Sequence, residues 1–517
     1  MESTAATTPQ PAGLSEASTG DKGLKTGAIG VLSSVVIGVA STAPGYSLAA
    51  SLGFVTAVGV GFQAPAVLWV AFVPMLCIAS AYYYMNRADP DCGTSFTWTT
   101  KAMGPSLGWI TGWAIIVADV IVMANLAQIA GLYTFLLFDW QSAADSTFAV
   151  TAVGIVWIAV MTWICYIGIE LSARTQWFLL GAELLTLTLF AIIAIVRVYG
   201  GDFPNSVDPS ISWLNPLDID STTALIDGVL VAVFIYWGWD SAVTVNEETK
   251  NPREGPGRSA VISTLILLAI YVIVATAAMA VHGPAFLSHN AEDVLSSLGS
   301  DVFGSPLDKL LIIAVLTSAA ASTQTTILPT ARTSLSMGAA RALPKIFARV
   351  HPSHQTPDFS TLLMGGFSIL WYVGLTIISE DILFDSIAAL GLMIAFYYGL
   401  TGFACVIYYR RELTSSAKAF FTAGVLPFAG GAMLTYVFVK SVSDFSGRKH
   451  QWLGLAKPLQ IAVVFGILGV VFMLITRFRM PEFFRRKAEV APKGSLLVAP
   501  EPQASFASDS DAPGGGA

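Results

Sequence analysis

Long stretches of this chain carry no charge: Val261–Val281 and Ile461–Thr476 hold no acidic or basic residue. About 20 predominantly apolar residues, coiled as a helix, span the roughly 30 Å hydrocarbon core of a bilayer. Only 12% of the 517 residues are charged and 54% are hydrophobic, whereas a soluble domain carries about a quarter charged residues. The deficit points to lipid around most of the surface. The fold class that follows is an all-α integral membrane protein.

Apolar runs between charged or Pro/Gly-rich breaks predict twelve transmembrane helices, near 27–57, 64–85, 107–136, 148–169, 173–198, 221–246, 258–281, 306–334, 358–379, 384–409, 418–441 and 457–478. Alternate loops hold most of the basic residues, among them Lys22, Lys25, Arg87, Lys101, Arg174, Lys250, Arg253 and the run from Arg477 to Lys493. The opposite loops are acidic, with Asp139, Asp145, Asp202, Asp208, Asp293 and Asp301. Excess Lys and Arg mark cytoplasmic loops, so both termini are expected in the cytoplasm of a multi-pass cell-membrane protein. The loop with Arg448 and Lys449 runs against this trend. Residues 1–22 and the tail after about Lys493 are small and polar, and are expected to be disordered. No cleavable signal peptide is read, because the first apolar segment is too long and no small-residue cleavage site follows it.

Cys77, Cys92, Cys165 and Cys405 are scattered without CxxC spacing, which argues against a disulfide framework or a zinc site. The five histidines fall in loops or at helix edges. No catalytic role, metal, cofactor or nucleic-acid partner is expected. Monomer and homodimer both stay open.

Two spans are expected to be broken. The first, at about 31 residues, would make a straight helix of roughly 46 Å. Its middle reads Ser41-Thr42-Ala43-Pro44-Gly45-Tyr46. Proline removes a backbone donor and clashes with the preceding turn, and glycine eases departure from helical geometry. The sixth span carries Tyr236-Trp237-Gly238-Trp239-Asp240 at the matching place, and the second and seventh spans keep a similar offset. Five helices are an odd number, so two consecutive copies insert with opposite orientation. Interrupted helices at equivalent places in such halves point to a midplane binding site built from half-helix ends. A simple proline kink and a packing glycine are the plainer alternative.

Ordered motifs then bring a family into view. Asp89-Pro90-Asp91-Cys92-Gly93-Thr94-Ser95-Phe96, with Gly104-Pro105 and Gly108-Trp109-Ile110-Thr111-Gly112-Trp113, resembles the loop after helix two in the amino acid–polyamine–organocation (APC) superfamily. Ser172-Ala173-Arg174-Thr175-Gln176 resembles the start of its helix five. Gly238-Trp239-Asp240 with Glu247-Glu248-Thr249-Lys250-Asn251-Pro252 is similar to its helix-six signature, and Ala331-Arg332 through Val350-His351-Pro352 to the end of helix eight. The resemblance implies a LeuT-like five-plus-five inverted repeat with broken helices 1 and 6. The transport core would cover 23–409 (repeats about 27–198 and 221–409), two additional helices 410–480, and a cytoplasmic tail 481–517. Two features depart from the family pattern. Ala43-Pro44-Gly45 stands where many members have a Gly-x-Gly turn, a form closer to the polyamine-importer branch, and Ala339-Ala340-Arg341 replaces the usual Arg-Asp-Gly.

Interrupted helices leave N–H and C=O groups unpaired, with partial positive charge at the half-helix N-terminus. Such ends suit a carboxylate on one side and an ammonium group on the other. The expected substrate site combines Ser41, Thr42, Ala43, Pro44, Gly45 and Tyr46 with Phe234, Tyr236, Trp237, Gly238 and Asp240. By resemblance, Phe234 closes over bound substrate. Asn125, Thr323 and Gln324 are further pocket candidates, with interhelical hydrogen bonding as their structural alternative.

Carboxylates inside a membrane cost about 2.5–3.5 kcal/mol each on insertion scales. Asp119, Glu183 and Asp240 are the three that qualify near the midplane. By resemblance, Glu183 takes a helix-five position where some members carry a lysine that stands in for a coupling cation, and a carboxyl there suits a proton. Glu183 is the first candidate for proton coupling and Asp240 the second. Sodium stays open, with Thr323, Thr325 and Thr326 as possible ligands. Arg332 is expected to snorkel to phosphate or to pair with Glu247 or Glu248. The expected function is uptake of an amino acid by proton symport. The alternatives are transport of a polyamine or other organic amine, and a sensor that binds without transport.

Overall fold

The computed structural model of the chain describes residues 22–291, 293–378, 382–446 and 455–496. The expectations for residues 1–21, for Arg448 and Lys449 and for the tail beyond 496 lie outside them. Sixteen of the nineteen α-helical segments among the described residues frame the molecule. They are α1 (Val31–Thr42), α2 (Pro44–Val55), α3 (Ala64–Ala88), α4 (Ser95–Met103), α5 (Pro105–Leu137), α6 (Thr147–Ile167), α7 (Ile169–Gly200) and α8 (Thr222–Ile235). They continue as α9 (Ser241–Thr244), α10 (Gly255–His289), α11 (Val294–Phe303), α12 (Lys309–Ala339), α13 (Asp358–Ile378), α14 (Ile382–Tyr409), α15 (Leu426–Ser446) and α16 (Lys457–Arg479). Among the described residues β pairing is confined to an isolated bridge between Ile29 and Thr249.

Among those residues, ten segments are long and apolar enough to cross a membrane. The sequence predicts twelve, and the difference arises in two places. Val31–Ala88 runs as one apolar stretch, because no polar loop separates α1, α2 and α3. Helix α8 has only 14 residues, and roughly 21 Å of helix falls short of the bilayer core.

Local chemistry sets the helix ends. Gly104, at φ +99°, stops α4, and Pro105 opens α5 where its missing N–H costs nothing. Ser146, Ser221 and Asp293 cap α6, α8 and α11 by accepting from backbone amides. Polarity across the molecule is the inverse of a soluble protein's. Phe148, Phe178, Leu185 and Leu370 are exposed, while Ser318, Ser322, Thr325, Thr330 and Thr333 of α12 are buried. Lipid makes outward apolar side chains free of cost, so packing relies on small residues and interhelical hydrogen bonds. Helix α12 lies against α5, α7 and α6, α10 lies against α3, and α1 is enclosed by α7, α9, α10 and α12.

Candidate functional site

The helical path of the first apolar stretch is interrupted at Ala43, whose φ of +47° lies in the left-handed region. Pro44 then opens α2 without an N–H to offer. The next amides are taken within the protein. Gly45 N–H donates to Glu183 Oε1 at 2.7 Å, Tyr46 N–H to Ser318 Oγ at 3.0 Å, and Ser47 N–H to the Ala43 carbonyl at 2.7 Å. Ser318 Oγ also donates to Glu183 Oε1, at 2.8 Å. One carboxylate oxygen thus joins α7 to α2 and α12. The other, Oε2, is buried with no hydrogen-bond partner among the described residues.

On the C-terminal side of α8 the chain passes through turns from Tyr236 to Asp240 before α9. Gly238 has φ +118° and lies against α1: a Cβ there would stand 2.7 Å from both the carbonyl carbon and oxygen of Ser41. Ser41 Oγ meets Ser241 Oγ at 2.8 Å, and its carbonyl accepts from Ser322 Oγ at 2.9 Å. Tyr271 OH donates to the carbonyls of Ile235 (2.7 Å) and Thr42 (3.4 Å), joining both interruptions through one hydroxyl. The rings of Tyr46 and Phe234 meet edge-on at 6.2 Å, and those of Tyr236 and Tyr271 at 5.0 Å.

Asp240 sits among aromatic groups. Tyr82 OH and Tyr397 OH both donate to its Oδ2 at 3.3 Å, and Trp237 Nε1 donates to Tyr397 OH at 2.5 Å. Ser95 Oγ meets Tyr82 OH at 2.6 Å and accepts from Thr401 Oγ1 at 2.8 Å, which carries the network into α4 and α14. The third intramembrane carboxylate, Asp119, accepts from Thr330 of α12.

The structure therefore gathers Ser41, Thr42, Ala43, Pro44, Gly45, Tyr46, Phe234, Tyr236, Trp237, Gly238, Asp240 and Glu183 around the two interruptions. The other candidates share no hydrogen bond with that group. Thr323 donates to Ala319 of its own helix, Gln324 Oε1 accepts from Gln176 at 3.0 Å, and the buried Asn125 amide has no partner among the described residues. Tyr82, Ser95, Tyr397, Ser241, Ser318 and Ser322 complete the arrangement and escape a reading of the sequence. No local motif announces a contact made between helices far apart in the chain.

A second cluster lies toward the side of the molecule that bears Arg87 and Lys101, the basic face. Arg332 makes a two-pronged pair with Glu248, Nε to Oε2 at 2.6 Å and Nη2 to Oε1 at 2.8 Å, and both side chains are buried. Lys22 Nζ reaches Asp91 Oδ2 at 2.8 Å and Glu247 Oε1 at 2.5 Å. Asp91, Cys92 and Glu247 converge closely, but the place a cation would take between the two carboxylates is filled by the chain's own ammonium group. Burial works against the Asp91 charge, yet the Lys22 ammonium holds its carboxyl below the usual carboxylate range.

The described helices, apolar outside and polar within, define a multi-pass α-helical membrane protein. The family model described as amino acid permease matches residues 28–490, and the chain belongs to that family, within the APC superfamily. Similar proteins include an uncharacterized transporter of Mycobacterium tuberculosis, 28% identical over 342 residues that cover 65% of this chain and 71% of the relative. The branched-chain amino acid permease BcaP of Bacillus subtilis is 24% identical over 447 residues, 82% of this chain and 90% of the relative. The serine/threonine exchanger SteT of the same organism is 23% identical over 339 residues, 64% and 71% of the two chains.

Proposed function

We propose that this chain is a secondary active transporter that imports amino acids across the cell membrane by proton symport with alternating access. In this reading both termini are cytoplasmic, and the membrane is crossed twelve times by a five-plus-five inverted repeat and two further helices. The observation that carries it is Glu183: a buried carboxylate whose Oε1 holds Gly45 N–H and Ser318 Oγ while Oε2 is unpartnered among the described residues. A proton arriving at Oε2 would neutralise the group and weaken the link from α7 to α2 and α12, coupling proton occupancy to the geometry of the first interruption. The driving force suffices. One proton moving down about 180 mV supplies roughly 4 kcal/mol, enough for about thousandfold accumulation. In proteoliposomes, Glu183→Gln is expected to abolish accumulation driven by a pH gradient while substrate binding persists. Unchanged pH-driven uptake would remove Glu183 from the mechanism.

A specific observation favours a second reading, transport of an organic amine. The first amides of α2 are already engaged, Gly45 by Glu183 and Tyr46 by Ser318, and Pro44 has none. An amino acid's carboxylate therefore finds no free donor there, whereas the Asp240 carboxylate suits an ammonium group. Competition of labelled uptake by amino acids against putrescine or ethanolamine separates the two: the first reading expects amino acids to compete, the second the amines.

A further inference from the structure

Away from the interruptions, a cleft of about 520 Å³ opens on the flank of the molecule at the basic face, between α3, the start of α10 and the segment leading into α15. Its two long walls share one polarity gradient. Along α3 the lining runs Arg87, Tyr83, Ser80, Leu76 from the basic face inward, and opposite it runs Lys418, Thr422, Leu426. Each series passes from a cation through hydroxyls to leucine, and the two are tied together midway, where Ser80 Oγ donates to the Thr422 carbonyl and Tyr84 OH meets Thr422 Oγ1, both at 2.6 Å. At about 1.5 Å per helical residue, the span from Arg87 to Leu76 is roughly 16 Å deep. That length matches a headgroup followed by the upper part of an acyl chain.

The charge is one-sided. Lys418 is exposed and forms no ion pair with a carboxylate among the described residues. Arg87 is partly engaged by Glu254 at 3.6 Å, but Glu254 also holds Arg258 at 2.5 Å, and Arg253 Nη1 donates to the Arg87 carbonyl at 3.2 Å. Glu254 is thus shared between two arginines, and Lys418 has no carboxylate partner among the described residues. No acidic residue lines the cleft itself among the described residues. Val73, Ile262, Leu265 and Phe421, on the same three elements, are exposed apolar side chains. Leu496 closes its remaining side.

We propose that this cleft binds an anionic phospholipid, with the phosphate between Arg87 and Lys418, the polar headgroup atoms against Tyr83, and an acyl chain along Leu76 and Leu426. A soluble anion would use the cations but leave the apolar end unfilled. A zwitterionic lipid would gain less from the one-sided charge. The inference rests on the chain's place in a membrane and is independent of what it transports.

Native mass spectrometry of the full-length purified protein tests it, with phosphatidylglycerol and phosphatidylcholine of matched chains as probes. Wild type is expected to retain phosphatidylglycerol preferentially. Lys418→Ala is expected to weaken retention about fivefold, and Arg87→Ala/Lys418→Ala about thirtyfold, at the worth of a basic residue beside an anionic lipid. Leu76→Trp, which fills the apolar end of the cleft with both cations intact, is expected to lose the same adduct. If Arg87→Ala does not fold, the exposed Lys418 and the Leu76 variant carry the test. Equal phosphatidylglycerol retention by wild type and these variants overturns the proposal, as does displacement of the lipid by millimolar inorganic phosphate. It is overturned equally if wild type retains none and Leu496→Ser gains it, since the chain's own tail would then be the occupant.

Discussion

Gly238 stands in backbone geometry that suits glycine, at φ +118°, with Ser41 pressed against the space where a Cβ would be. An alanine there meets two penalties, an unfavourable dihedral and an overlap with backbone that cannot swing away. Together they are worth about 2–5 kcal/mol. Gly45 differs: its Cβ would stand 3.4 Å from Glu183 Oε1 and from Ser318 Cβ, close but compatible with small shifts. Gly238→Ala is therefore expected to lower the thermal midpoint of the purified protein sharply and Gly45→Ala much less, a comparison read in one thermal-shift experiment. The contrast also marks how far sequence reasoning reaches at this scale. Proline and glycine carry their backbone consequences with them, so positions 44 and 238 stand out in any reading of the chain. That Glu183 accepts from the Gly45 amide depends on how α7 meets α2, and no property of residue 183 alone contains it.

Among the elements, α11 is the one with a pH-sensitive end. Asp293 caps it by accepting from Ser296 N–H at 3.2 Å and also accepts from Tyr133 OH of α5. Burial pushes the Asp293 carboxyl up to about 6, against the hydrogen bonds from Tyr133 and Ser296. An acid that holds its proton more tightly when folded stabilises the fold below its unfolded value of about 4, and that contribution is lost as pH rises through about 6. Amide exchange in α11, corrected for intrinsic rates, should accelerate by at most about a hundredfold as pH climbs through that window. In Asp293→Asn it should stay flat. Neither α11 nor α4 is foreseen as a helix from the sequence. Both are short, with sequences such as SFTWTTKAM, and they pack on other helices, so the long apolar run that betrays a membrane span is missing from them.

For the whole molecule, legibility follows the solvent. Bilayer thickness imposes a minimum length on every lipid-exposed helix, so spans such as α6, α7, α13 and α16 stand out in the chain as apolar stretches of 21 or more residues. The interior has no such ruler. Its serines, threonines and tyrosines could have served helix backbones locally, and the long-range network from Trp237 through Tyr397, Asp240 and Tyr82 to Ser95 becomes visible only when α3, α4 and α14 are assembled. The paired arginine near the end of α12 falls between these cases. Its need for a partner is evident from the sequence, but the choice of Glu248 over Glu247 is decided by Lys22, which holds Glu247.

That choice has a mechanical corollary. Removing one member of a buried ion pair costs about 3–5 kcal/mol, because the other charge is left stranded. The Arg332–Glu248 fork therefore acts as a rivet between the end of α12 and the turn at Asn246–Glu248. Any passage to the basic face must carry those two pieces along as one body or let water reach both charges together. The interruptions at Ala43 and Gly238, by contrast, are joined through hydrogen bonds of neutral groups.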